Sequence, residues 1–222
     1  MAKDKDKQTI LQPNIILCEG EDTIQFIIQY LLYLQKQEKH DARFDNFQAF
    51  NFGGNNQLSL YLSDIRSYSG FDRVISMTII RDSECNYVGA MQSVKSALEK
   101  AGYPVPTEPN HIVQDDKMRV AFSLFPSLSN CKRDGTLEDL YIENLKEDGV
   151  ETIITDIMSF LCDLESKGRT FKWLHKTSLH TYFSVTDKYV SKKIGQATEA
   201  GAFNFECAEM NSLKRLLENI AL

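Results

Sequence analysis

Three short apolar runs, each followed by a stretch of helical periodicity, constrain this chain more than any other feature. The first, Asn14-Ile15-Ile16-Leu17-Cys18, stops at the polar run Glu19-Gly20-Glu21-Asp22-Thr23. The second, Phe47–Phe52, stops at Gly53-Gly54-Asn55-Asn56. The third, Arg73–Ile80, stops at Arg81-Asp82-Ser83-Glu84-Cys85-Asn86. After each run the apolar spacing changes to that of a helix, over Thr23–Gln37, Gln57–Ile65 and Tyr87–Ala101. A short, continuous apolar run reads as a strand covered on both faces. Strands alternating with helices give a parallel sheet with helices packed on it. Gly102 stands where a helix C′ residue belongs, with Pro104 and Pro106 beyond it.

Further along, His111–Val113 and Met118–Phe125 read as strands, with a hairpin across Asp115-Asp116, and Phe125–Asn130 as loop. After Gly135 the chain turns helical, with helices expected over Thr136–Lys146, Val150–Lys167, Thr186–Ala200 and Ala208–Ile220. The expected fold class is therefore α/β. A parallel sheet covered by helices spans residues 12–130, and a mainly helical extension, 131–222, packs on it as one compact unit. With 42 % hydrophobic and 25 % charged residues, disordered and collagen-like classes are excluded. No stretch approaches the ~18 uninterrupted apolar residues of a membrane helix, so no membrane partner is expected. The start, MAKDKDKQ, places charges where a signal peptide has its apolar core. Cys18, Cys85, Cys131, Cys162 and Cys207 are scattered singly, against both a disulfide framework and a zinc site. The expected compartment is the reducing cytoplasm.

A net charge of −6 removes the simplest nucleic-acid reading, a basic surface holding the phosphate backbone. An acidic protein still acts on nucleic acid where metal ions neutralise phosphate locally or a partner supplies the basic surface. Phe and Tyr fall mostly at core spacing, so no base-stacking platform is expected. There is no GxxxxGK[ST] or GxGxxG loop for a nucleotide.

The chemistry sits at the strand ends. Glu19 follows the first apolar run, and Asp82 and Glu84 follow the third. In open parallel sheets, sites form outside the carboxyl ends of the strands. If these two strands are neighbours, the three acids meet in one crevice. Crowded carboxylates raise one another's pKa, and a hard divalent cation with oxygen ligands and retained waters resolves the repulsion. Such an ion activates water and stabilises charge on a phosphoryl group. Against this stands the plainer reading, in which each acid is a solvated turn residue. Arg81, Lys188, Lys192 and Lys193 are candidate phosphate contacts, Lys188 foremost, with solvated surface charge as the alternative. His111, His175 and His180 lack metal-like spacing and read as structural. Cys18 and Cys85 flank the acids, but a thiolate is disfavoured beside carboxylates, so a cysteine nucleophile is rejected.

Leu17-Cys18-Glu19-Gly20-Glu21-Asp22-Thr23, then Gly53-Gly54, then Ile79-Ile80-Arg81-Asp82-Ser83-Glu84 together resemble the Toprim domain. That domain is shared by topoisomerases, bacterial primases and nucleases of the overcoming-lysogenization-defect type. Gly135-Thr136-Leu137-Glu138-Asp139-Leu140 and the Lys188–Phe205 tail are similar to the stand-alone Toprim-like proteins of unknown function called DUF3226. The resemblance runs from Ile15 to about Leu217. It implies that Glu19 is a general acid/base or metal ligand, that Asp82 and Glu84 bind Mg²⁺ (or Mn²⁺), and that Glu138 completes the metal site. Two positions depart from the pattern. Glu84 stands where Asp is usual, and Thr23 stands where nuclease-type relatives often carry a second acid, with Asp22 one residue early. The implied activity is Mg²⁺-dependent phosphodiester hydrolysis of DNA or RNA, with Glu19 and Lys188 catalytic. An ABC-type or AAA-type ATPase partner in trans, in bacterial defence against phage, is implied; a homodimer is expected beside it. The alternative is a catalytically degenerate Toprim-like binding or regulatory module.

Overall fold

Ile15, Ile16, Leu17 and Cys18 are all fully buried, and their side chains alternate between two different cores. This is what a central strand with helices on both faces requires. The structure, a computed structural model, describes residues 9–37, 42–127 and 132–221. Cys131 and residues 128–130 of the expected loop lie outside the described residues, as does the MAKDKDKQ start.

The strands are β1 (Asn14–Glu19), β2 (Phe47–Gly53), β3 (Ser76–Asp82), β4 (Val113–Gln114) and β5 (Arg119–Phe125). They form one sheet in the order β2-β1-β3-β5-β4. β1 runs parallel to both β2 and β3, and β3 runs parallel to β5. Only β4, at the edge, is antiparallel, closing the expected hairpin on β5 with Val113 opposite Val120. The fold is a mixed, parallel-dominated α/β sheet with helices packed on it.

The helices are α1 (Gly20–Gln37), α2 (Leu58–Asp64), α3 (Tyr87–Lys100), α4 (Leu137–Leu145), α5 (Glu151–Ser166), α6 (Leu174–Val185), α7 (Ile194–Glu199) and α8 (Ala208–Ile220). On one face, Ile15, Leu17, Met77, Ile79, Val120 and Phe122 pack against α2 and α3 through Leu58, Leu62, Val94 and Leu98. On the other, Ile16, Cys18, Ile80 and Ala121 pack against α1 and the C-terminal helices. Phe26 of α1 is the hub of that second core. Its ring meets Phe125, Tyr141, Phe203 and Phe205 at centroid distances of 4.9–6.2 Å.

Two sequence expectations need correction. Thr186–Ala200 is not one helix, because residues 187–191 form turns, Ser191 has φ +63°, and only Ile194–Glu199 is helical. Conversely, helix α6 was not expected at all. Leu174–Val185 is rich in Ser and Thr, yet the hydroxyls of Thr177, Ser178, Thr181 and Ser184 each donate to a carbonyl one turn back. That removes the competition with the backbone that usually keeps these residues out of helices. Burial of Leu179, Tyr182 and Phe183 then fixes the helix in place. The third strand also begins three residues later than the apolar run, at Ser76, and α1 begins at Gly20 rather than Thr23.

Candidate functional site

The parallel register settles whether the strand-end acids meet. Cys18 lies opposite Ile80, so Glu19 and Arg81-Asp82, which end β1 and β3, stand side by side at the carboxyl edge of the sheet. Gly20, at φ +78°, turns the chain from β1 directly into α1. A third element closes the crevice. Helix α4 points its N-terminus at β3, and the Leu137 N–H donates to Asp82 Oδ1 at 2.9 Å. The first turn of α4 is held by Asp139, whose carboxylate accepts from the Thr136 N–H and hydroxyl at 2.8 and 3.0 Å. Glu84, at φ +54°, exchanges backbone hydrogen bonds with Gly135 and ties the end of β3 to the loop before α4.

The result is a crevice of about 160 Å³ lined by Glu19, Asp22, Asp82, Glu84, Glu138 and Lys176, among others. Glu19, Asp82, Glu84 and Glu138, the four acids singled out from the sequence, therefore line one crevice. Asp22 joins them, and Thr23 lies beside it, buried. Gly53 pairs with Glu19 in the sheet, but Gly53 and Gly54 do not line the crevice. Lys188 does not line it either; its ammonium lies 5.5 Å from the Tyr189 ring centroid.

The basic group that does enter is Lys176 of α6, which the sequence reading missed along with its helix. Its Nζ lies 3.3 Å from Glu138 Oε1, and the Glu138 side chain is 5 % exposed. Burial pulls the Lys176 ammonium down, but Glu138, Asp82 and Glu84 more than offset this and hold it above the ordinary lysine value. Arg81 is buried, not a solvated surface charge. Its Nε lies 3.3 Å from Glu19 Oε2 but donates its hydrogen bond to the Asp82 carbonyl, and Nη1 donates to Ser93. The pairing with Glu19 is thus Coulombic only, and Glu19 Oε2 is a buried oxygen with no hydrogen-bond donor.

The acids respond as crowding requires. Burial raises Glu19, Arg81 pulls it back, and Glu84 pushes it up again. Burial raises Asp82 well above the ordinary aspartate range; Glu138, Glu19 and Glu84 add to this and the Leu137 N–H opposes it. Asp22 is raised by burial and Glu138, against His180, Lys176 and Lys193. Burial pushes the Cys18 thiol far up, which agrees with rejecting it as a nucleophile.

The donor set fits a hard divalent ion in kind: oxygens only, mutually repelling, one of them buried and unpartnered. As the side chains stand, no three acidic, His or Cys groups among the described residues are gathered as an ion cage. Lys176 and Arg81 hold Glu138 and Glu19 instead.

The family model described as "Protein of unknown function (DUF3226)" matches residues 13–222. No curated protein matches the chain significantly. Among solved structures, the C-terminal region of the Burkholderia pseudomallei OLD protein aligns with a TM-score of 0.47 at 12 % identity. The alignment covers 96 % of this chain and 100 % of that one.

Proposed function

The chain belongs to the DUF3226 family, and from that premise and the acidic crevice we propose a Mg²⁺-dependent phosphodiester hydrolase acting on DNA or RNA. The observation that carries this reading is the convergence of Glu19, Asp82, Glu84 and Glu138, from two strand ends and a helix N-terminus, in one crevice with a lysine. A divalent cation bound by these carboxylates would neutralise phosphate charge and supply an activated water.

The protein's own groups do the rest. Lys176, beside Glu138 in the crevice, would donate to a non-bridging phosphate oxygen and stabilise the charge that builds there. Glu19, raised by burial and with no hydrogen-bond donor at Oε2, would hold or release a proton there. Asp82, fixed by Leu137, sets the distance between the sheet edge and α4. Lys188, named from the sequence, is assigned no role in this scheme. An ATPase in trans and a role in phage defence belong to the same proposal and rest on the Toprim-like motifs; a cytoplasmic location, from the scattered cysteines and charged start, and a homodimer are proposed beside them. No helix among the described residues is long and apolar enough to cross a membrane.

One observation favours a second reading. The ion pairs of Lys176 with Glu138 and of Arg81 with Glu19 satisfy two of the four acids without any metal. In that reading the crevice is a degenerate remnant in a binding or regulatory module. The test is to incubate the protein with plasmid, single-stranded DNA and total RNA in Mg²⁺ or Mn²⁺, beside Glu19→Ala and Asp82→Ala. Cleavage abolished by both substitutions supports the hydrolase. Inert protein that also binds no metal by calorimetry supports the module.

A further inference from the structure

A groove on α6 leads into the crevice and differs from it in character. It is an open channel of about 570 Å³ along the outer face of the helix, and Lys176 lines both the groove and the crevice. Its remaining cationic candidates are Lys172 and His180, both exposed. His180 is close enough to Asp22 to oppose the rise in that acid's pKa, so the row of bases reaches the crevice rim. At the far end stands Trp173, the chain's single tryptophan, 40 % exposed. Lys172 Nζ lies 5.1 Å from its ring centroid. The Phe and Tyr residues do lie mainly in the core, as expected from their spacing, but this tryptophan does not.

Along the helix, Thr177, Thr181 and Ser184 also line the groove. Their hydroxyl protons are committed to backbone carbonyls. What they present outward is therefore lone pairs, acceptors for an amino or hydroxyl group. The groove thus combines a large flat ring, a few spaced cations and a line of acceptors, in a protein whose net charge is −6. Cations for a few phosphates, plus an exposed π-face, suit an unpaired strand. A duplex hides its base faces and brings a denser array of phosphates to an acidic surface.

We infer that this groove binds single-stranded polynucleotide, with a base stacked on Trp173 and the backbone led past Lys172 to Lys176 and His180 at the crevice rim. The inference deepens the hydrolase reading and rests on it for the direction of the strand, while binding itself is separately measurable. It names the substrate class: an unpaired stretch of DNA or RNA, not intact duplex.

The test uses the whole protein in EDTA, so that no cleavage is needed. Excited at the red edge, where tyrosine does not absorb, the fluorescence comes from one tryptophan, and stacking on it quenches it. The protein is titrated with oligothymidylate, oligouridylate, a duplex of equal length and inorganic polyphosphate. Quenching by the single strands, weakening with salt, and absent with duplex and polyphosphate is expected; the two oligonucleotide arms tell DNA from RNA. By anisotropy of a labelled single strand, Trp173→Ala weakens binding at least about fivefold. Trp173→Phe, which keeps a ring, recovers most of that loss. No quenching by either single strand, equal quenching by duplex, or Trp173→Ala binding as tightly as wild type overturns the inference. Quenched binding by a protein that cleaves nothing and binds no metal supports the groove and overturns the hydrolase. Cleavage without quenching keeps the hydrolase and overturns the groove.

Discussion

Replacing Lys176 by Met separates the two things its ammonium does in the crevice. The perturbation removes the charge and keeps most of the aliphatic stem. Its Nζ stands 3.3 Å from Glu138 Oε1. At that separation and an effective dielectric of about 20, the gross attraction is roughly 5 kcal/mol. The lysine side chain is 45 % exposed, so water screens much of this, and Glu138, at 5 %, has already lost hydration. The net cost of Lys176→Met in the absence of divalent ions is therefore about 1–2 kcal/mol. For a chain of this length that lowers Tm by about 2–8 °C. Glu138→Gln made on top of Lys176→Met removes the stranded charge and recovers most of the loss, giving a coupling energy readable from urea melts of the four proteins. Mg²⁺ should move the other way. Without its competitor, Glu138 is free for the ion, so Lys176→Met binds Mg²⁺ more tightly by calorimetry, by up to about tenfold for ~1.4 kcal/mol of released pairing. Unchanged or weaker Mg²⁺ binding, with no coupling in the melts, refutes the idea that lysine and ion compete for one carboxylate.

Two further outcomes follow from the same crevice. The folded-state pKa of Asp82 lies above its unfolded value, so the native state holds the extra proton and stability falls as pH rises from the ordinary aspartate range, about 4, through the raised value. Asp82→Asn keeps an oxygen for the Leu137 N–H and loses that pH dependence; it should melt at least ~2 °C above wild type at pH 7 without divalent ions, with the gap closing in acid, by differential scanning fluorimetry. Glu84 occupies the left-handed region at φ +54°. Glu84→Gly relieves that conformation and, after the entropy of glycine, gains roughly 0.5–1 kcal/mol in urea melts, at the expense of one crevice carboxylate.

The site was legible in the sequence where the sheet dictates it. Continuous apolar runs announced β1 and β3, and acids placed just past their ends had to emerge at one edge once the strands proved adjacent. Glu138 came only through the Leu137-Glu138-Asp139-Leu140 resemblance, since nothing in its spacing shows that α4 points back at β3. Lys176 was missed, with α6, because the run of Thr, Ser and His around it contradicts helix propensity. The helix exists because tertiary burial of Leu179, Tyr182 and Phe183 outweighs that preference. Lys188 was singled out by proximity to a motif along the chain, which says nothing of distance in space.

Asp82 carries two duties that do not separate. It is a wall of the acidic crevice and the acceptor that seats the first N–H of α4. A descendant that had lost all chemistry would still be selected to keep a side-chain oxygen there, on aspartate or asparagine, merely to seat α4. That oxygen's survival in a relative is thus poor testimony for activity. Glu84 and Lys176, which among the described residues anchor no helix end with their side chains, are the positions whose drift would record retirement from catalysis.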